Sequence, residues 1–234
     1  MDREKNFETF LLIGVNNFTI SIKEKDKLET IHEKKMNFEN ESNKLNYDKL
    51  EDFLNQNIFN IERSLNYFIK DIYVILDHEE FLSIRVSIKK DNHGNLISMN
   101  DLVYTLNELK NYCKKTLEKK KIIHMLIDNY IIDGKNYSNY NSNMSCNSFS
   151  LNVRFICLPN NIIENLEKIL KKYQIAIQQI VEINYLNDFF KDNGKDIFLN
   201  AKDLILGGNT NEVQLLEKSK KNKGFFEKFF NFFN

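Results

Sequence analysis

KIIHMLIDNYIIDGK, residues 121–135, is dense in isoleucine and stops at Asp133-Gly134. Its composition predicts two strand-like runs. The residues downstream, 136–148, are polar and predict a flexible loop. SFSLNVRFICL (148–158) then alternates, with Phe149, Leu151, Val153 and Phe155 set against Ser150, Asn152 and Arg154. That period of two predicts a half-buried strand. Pro159-Asn160 opens a helix with Ile162, Ile163, Leu166, Ile169 and Leu170 on one face, and YQIAIQQIVEI (173–183) returns as a strand.

Upstream, Met99, Leu102, Val103, Leu106, Leu109 and Cys113 recur at helical spacing, behind a Ser98–Asp101 capping signal. FLSIRVSI (81–88) alternates, with Leu82, Ile84, Val86 and Ile88 on one face, and DIYVIL (71–76) reads as a buried strand. KKDNHGN (89–95) is a turn. Tyr47, Leu50, Phe53, Leu54, Ile58, Ile61, Leu65 and Phe68 predict one buried helix face. FLLIGVNNFTISI (10–22) predicts strand, turn, strand around Gly14-Val15-Asn16-Asn17, and 23–45 reads as a charged surface connection. Residues 186–206 are less patterned, helical at their end. Strands alternate with helices, so the class is α/β (α+β).

The 234 residues, 42% of them apolar, suffice for a real core. Thirty-three basic and 33 acidic side chains cancel, which disfavours nucleic acid as a partner. Three cysteines at irregular spacing imply neither a disulfide framework nor zinc. No signal peptide or membrane-spanning run is evident, so a cytoplasmic protein with at most peripheral membrane contact is expected.

From Ile69 to Ile183 the chain resembles the bacterial cell-division protein family FtsA, a divergent branch of the actin-like proteins. The resemblance lies in IKDIYVIL, ISMNDLVYTLNELKNYC, KIIHMLIDNYIIDGK, Met144-Ser145, SLNVRFICL and NNIIENLEKILKKYQIAIQQIVEI, in that order. KIIHMLIDNYIIDG is similar to the family's "ILHVLPxEYxVDG". The resemblance implies a reduced actin-like (ribonuclease H-like) subdomain 1A carrying an inserted 1C (SHS2-type) subdomain, with the second lobe, 2A and 2B, missing. The implied division is 1–76 partial 1A, 77–158 1C, 159–207 a return to 1A, 208–222 a flexible linker, and 223–234 an amphipathic membrane-targeting helix.

LLIGVNNFTISI is similar to the family's first phosphate hairpin, but Leu12 stands where the acidic residue belongs. The second phosphate loop should follow the strand ending near Ile183, and NYLNDFFKDNGKDIF stands there instead. Amides hold phosphate only where a tight turn aims them. No nucleotide, metal or other cofactor is therefore expected, and no enzymatic activity. DIFLNAKDLILGG (196–208) can be the family's closing helix or a remnant of its adenosine-binding Gly-Gly turn, and the Gly-Gly can equally be a helix C-cap. Of His32, His78, His93 and His124, only His124 sits in an apolar run; it reads as a satisfied core or edge histidine. Cys113 and Cys157 read as buried structural thiols. The lysines of 114–121 read as a solvated helix end.

KSKKNKGFFEKFFNFFN (218–234) is the remaining motif. At about 100° per residue, Phe225, Phe226, Phe229, Phe230, Phe232 and Phe233 span an arc of roughly 160°, opposite Glu227, Lys228, Asn231 and Asn234. Six half-buried rings would gross on the order of 6–9 kcal/mol, less the ordering of a short helix. Lys218, Lys220, Lys221 and Lys223 favour an anionic leaflet. The alternatives are docking on the chain's own core or in a partner's groove. The expected membrane-binding residues are Lys220, Lys221, Lys223 and the six phenylalanines. The expectation is a non-catalytic adaptor on the cytoplasmic face of the inner membrane at the division site. It would scaffold division proteins and have scope for self-association. In the family the ring protein FtsZ is held by 2B, absent here, so that contact is not carried over. A residual ATP-binding polymer subunit and a pilus-type adaptor are the alternatives.

Overall fold

A computed structural model describes residues 6–25, 29–40, 44–140, 144–191 and 194–214. The chain divides into two compact units, Met1–Phe81 with Asn160–Gly208, and Leu82–Pro159 with Asn209–Asn234. Each unit is built on its own sheet, and the class is mixed α/β.

The first unit opens with the hairpin β1 (Phe7–Ile13) and β2 (Asn17–Glu24). The strand β3 (Thr30–Asn37) follows, then helix α1 (Tyr47–Leu65) and β4 (Asp71–Leu76). After the second unit the chain returns as α3 (Asn160–Lys171), β9 (Ala176–Glu182), α4 (Ile183–Phe190) and α5 (Ile197–Ile205). The sheet order is β3-β2-β1-β4-β9. β1–β2–β3 is an antiparallel meander, and β1, β4 and β9 run parallel.

Alternation along the strands gives the sheet two apolar faces. Phe18 meets Phe53 of α1 at 6.0 Å on one face, and Phe10 meets Phe198 of α5 at 6.0 Å on the other. Leu50, Phe53, Leu54, Ile58 and Ile61 of α1 are buried at the helical spacing read from the sequence. Full burial of each such side chain is worth about 1.5–3 kcal/mol. Asn46 caps the helix start by accepting from the Lys49 amide (2.9 Å), and Asn66, in the left-handed conformation, ends it. Phe68, expected on the buried face, lies past that stop and is exposed.

Two further expectations need correction here. The surface connection 23–45 contains β3, whose His32, Glu33, Lys34 and Lys35 conceal it. An edge strand tolerates such charge because much of it faces water. Residues 183–190 form α4, an eight-residue helix with Tyr185 and Leu186 buried. It is too short for its spacing to stand out.

In the second unit, β5 (Leu82–Asp91), α2 (Met99–Thr116), β6 (Lys120–Ile132), β7 (Lys135–Tyr137) and β8 (Ser148–Pro159) follow in sequence. The sheet order is β5-β8-β6-β7. α2 covers one face, with Leu102, Leu106, Leu109 and Cys113 packed on Met125, Leu151, Val153, Phe155 and Cys157. Ser98 and Asp101 form a reciprocal capping box at its start. The two runs expected in 121–135 are one thirteen-residue strand with register shifts at Ile122/His124 and Ile127/Asn129. Those irregularities let a long strand follow β8 throughout. Asp133 (φ 46°) and Gly134 (φ 82°) then make the two-residue turn into β7, where left-handed angles favour Asp-Gly.

The loop after β7, expected to be flexible, is tied down in its described part. Tyr140 donates to the Ile97 carbonyl (2.6 Å), Cys146 is buried, and the Asp133 carboxylate accepts from the Asn147 and Ser148 amides (both 2.9 Å). Residues 209–213, expected to begin a linker, hydrogen-bond to the edge of β6. β7 pairs only with Tyr130–Ile132, so the neighbouring stretch of that edge is open to another segment. Its polar backbone groups require partners, and the Ile127 amide donates to the Asn211 carbonyl (2.9 Å) while the Val213 amide donates to the Met125 carbonyl (2.8 Å).

Candidate functional site

In an open sheet with parallel strands, ligands gather at the carboxyl ends of those strands. In the first unit that row is Ile13, Leu76 and Glu182, aligned by register across β1, β4 and β9. At about 4.8 Å per strand the Gly14 turn stands roughly 10 Å from Glu182.

The turn closes with the Gly14 amide donating to the Asn17 carbonyl, 2.9 Å. A Cβ on Gly14 would meet the Asn17 side-chain Nδ2 at 3.1 Å and the Asn17 backbone carbonyl oxygen at 3.2 Å, so the tight approach favours glycine. Asn40 donates to the Val15 carbonyl (2.9 Å) and braces the turn from outside. Beside it lies an open depression of about 610 Å³ lined by Asn16, Asn17, Asn37, Phe38, Glu39 and Asn40. Among the described residues that lining contains no lysine or arginine. Leu12, expected from the resemblance to stand in place of an acidic residue, is half-buried in β1.

Glu182 occupies the third position of the row. Its carboxylate caps α4, accepting from the Tyr185 amide (3.0 Å) and from the Asn184 side chain (3.1 Å). A helix N-terminus attracts anions, and here the chain's own carboxylate has taken that place. Asp77, after β4, donates its amide to the Ile13 carbonyl (2.9 Å) and adds a second acidic residue to this edge. His78 follows. Burial holds its pKa below the usual 6.5, while the neighbouring Glu80, Glu79 and Asp77 oppose that shift. Its Nδ1 accepts from the Glu80 amide (3.1 Å), a bond that the neutral ring supplies.

The other face of this sheet carries buried charge. Lys23, 2% exposed, pairs with Asp196 and donates to Thr30 (2.7 Å). Glu8, opposite Lys23 in the register, has Lys202 of α5 at 2.8 Å. That contact lies outside hydrogen-bond geometry and is a charge pair, while Lys202 donates to the Lys25 carbonyl at 2.6 Å. Alternating charges thus clamp α5 to the first hairpin. The helix ends at Gly207 (φ 93°), where the Gly207 and Gly208 amides donate to the Leu204 (2.9 Å) and Asp203 (2.8 Å) carbonyls. The Gly-Gly pair therefore serves as a helix cap of Schellman type.

In the second unit His124 is fully buried, and its Nδ1 lies 2.7 Å from Glu212 Oε1. A carboxylate only accepts, so Nδ1 carries the proton. This pair reinforces the backbone bonds that hold 209–213 on β6. Glu212 is a residue that sequence reasoning passed over as linker, and its only signal was the apolar setting of His124. Cys113 and Cys157 are buried side by side, and burial pushes the Cys157 thiol up to about 12. Among the described residues no group of three or more His, Cys, Asp or Glu side chains could hold a metal ion. Nor is any described helix long and apolar enough to cross a membrane. The expected membrane-binding residues, Lys220, Lys221, Lys223, Phe225, Phe226, Phe229, Phe230, Phe232 and Phe233, lie outside the described residues, as do 215–222 of the expected linker.

No protein-family profile matches the chain, and no curated protein does. Among solved structures, the chain is similar to the PilM–PilN type IV pilus biogenesis complex at 7% identity and a TM-score of 0.42, over 78% of this chain and 49% of that one. It is also similar to the cytoplasmic domain of EpsL, an inner-membrane component of the Vibrio cholerae type II secretion system (10%, 0.35, 75% and 57%). A Bacteroides thetaiotaomicron protein with an actin-like ATPase fold and unknown function is a third (12%, 0.34, 79% and 56%). The chain spans about half the length of these structures. At such scores the likeness is loose, and the fold described above rests on strand order and register.

Proposed function

We propose that this protein is a non-catalytic adaptor of reduced actin-like type, held peripherally on the inner face of a membrane by its C-terminal segment, where it scaffolds cell-division proteins. One observation carries the non-catalytic reading. At the strand row where an actin-like protein would hold phosphate, the helix N-terminus after β9 is capped by Glu182, and the turn after β1 is flanked by asparagines. A phosphate there would meet a carboxylate in place of free amides. The meander β1–β2–β3 continued by parallel β4 and β9 supports the actin-like part, in keeping with the resemblance in sequence. The single aromatic arc of 225–233 behind its lysines supports the membrane part.

Two measurements test this. Full-length protein is pelleted with anionic liposomes beside a variant with Phe226, Phe229 and Phe233 changed to Asp. The wild type is expected in the pellet and the variant in the supernatant, and equal behaviour of the two removes the tail as an anchor. Magnesium-ATP is expected to leave the melting temperature unchanged, and a clear stabilisation overturns the non-catalytic reading. Partners captured from membranes of dividing cells decide between a division apparatus and a pilus or secretion apparatus.

A further inference from the structure

The second unit presents an unusual sheet edge. Among the described residues β5 is paired only with β8, and its ten residues make it the longest of the edge strands in the two sheets. The other edges are blunted. β3 carries His32, Glu33, Lys34 and Lys35 in succession, β7 has three residues, and β9 ends in three buried ones. Proteins commonly protect open edges with charge or brevity. β5 has a middle, Ser83–Ile88, with Arg85 as its one ionisable side chain. Two of the charges along it have partners within the chain. Arg85 lies 3.1 Å from Asp128, and Lys90 lies 2.7 Å from Glu108 of α2.

We propose that β5 is a self-association surface, at which two copies pair antiparallel, edge to edge, about a two-fold axis at Val86. The strand's own sequence selects this register. An axis at Val86 sets Ile84 opposite Ile88 of the second copy, Val86 opposite Val86, and Arg85 opposite Ser87. The half-buried Val86 and Ile88, which pack on the core under α2, would then lie against Val86 and Ile84 of the second copy and join the two cores. An axis at Arg85 stacks two guanidinium groups, and one at Ser87 opposes Arg85 to Lys89, both unfavourable. An axis at Ile88 sets the central Val86 against Lys90, whereas the axis at Val86 leaves only the terminal Leu82 against Lys90, and one at Ile84 pairs no more of the strand than Leu82–Val86. The contact is isologous and closes at two copies. It requires neither a membrane nor a nucleotide, so it stands apart from the adaptor reading.

Sedimentation of the full chain without lipid, across a concentration series, tests the register by charge. Ser87 is exposed and points to the face away from α2, so substitution there spares the core. Ser87→Lys places two like-charge pairs with Arg85 in each dimer, and is expected to raise the dissociation constant roughly tenfold. Ser87→Glu places two opposite-charge pairs there and is expected to lower it by a similar factor. Association through the aromatic tail would be indifferent to the sign of residue 87. A monomer at every concentration, or variants that shift together or not at all, overturns the proposal.

Discussion

Asp196 has two roles that substitution can separate. Its carboxylate caps α5, accepting from the Phe198 amide at 2.9 Å, and it neutralises Lys23, whose side chain is 2% exposed. Asp196→Asn keeps an acceptor for the cap and removes only the charge. Removing one partner of a buried pair costs about 3–5 kcal/mol. Asp196 itself is 34% exposed, so water screens part of the interaction and about 2–3 kcal/mol is the expected loss. At about 2–4 °C per kcal/mol for a chain of this size, the melting temperature should fall by roughly 4–12 °C. Lys23→Met removes the buried ammonium together with its desolvation cost, and should stay within about 1 kcal/mol of wild type. The double variant should then resemble Lys23→Met alone. Urea unfolding of the four proteins, with hydrogen exchange on α5, gives the cycle. If Asp196→Asn lies within about 0.5 kcal/mol of wild type, or the two single effects simply add, the ion pair does not hold α5.

The imidazole of His78 should titrate below the 6.5 of a free histidine when followed by NMR. Because its folded pKa is lowered, the unfolded chain binds more protons in the window just below pH 6.5. Stability should therefore rise with pH through that window and fall on acidification, and His78→Gln should flatten the dependence. A midpoint above 6.5 would contradict the burial argument. Cys113, Cys146 and Cys157 are all buried, and burial raises all three thiols. An exposed-thiol reagent should leave the native protein unmodified and titrate three groups after denaturation. Rapid labelling of the native protein would refute that.

Much of the fold was legible because local signals agreed with burial. The run 10–22 has short apolar stretches about a glycine turn, and it folds as the β1–β2 hairpin. Ser98 and Asp101 stand three residues apart before a helical face, and they form the capping box. The alternation of 148–158 marks β8, whose Leu151, Val153 and Phe155 are fully buried. Illegible segments are those that depend on a distant partner. β3 is strand only because β2 offers it a ladder. Residues 209–213 look like linker because Asn209, Asn211 and Glu212 are polar, yet the open edge of β6 and the buried ring of His124 give them partners. The carboxylate of Glu182 looked like any strand-end residue until α4 began there.

By itself, then, the sequence determined the periodic elements, the Ser98–Asp101 cap, the burial of Cys113 and Cys157, and the spacing of the phenylalanines in 225–233. These follow from spacing along a single stretch of chain. Only the tertiary structure decided which strands lie side by side, that Glu182 stands in one row with the Gly14 turn, that Lys23 is matched by Asp196, and that β5 lies at the edge of its sheet among the described residues. Each of these is a pairing between residues far apart in the chain. Local preference carries no record of such partners, because the free energy that selects them, from burial and from hydrogen bonds shared between segments, exists only once the chain has closed on itself.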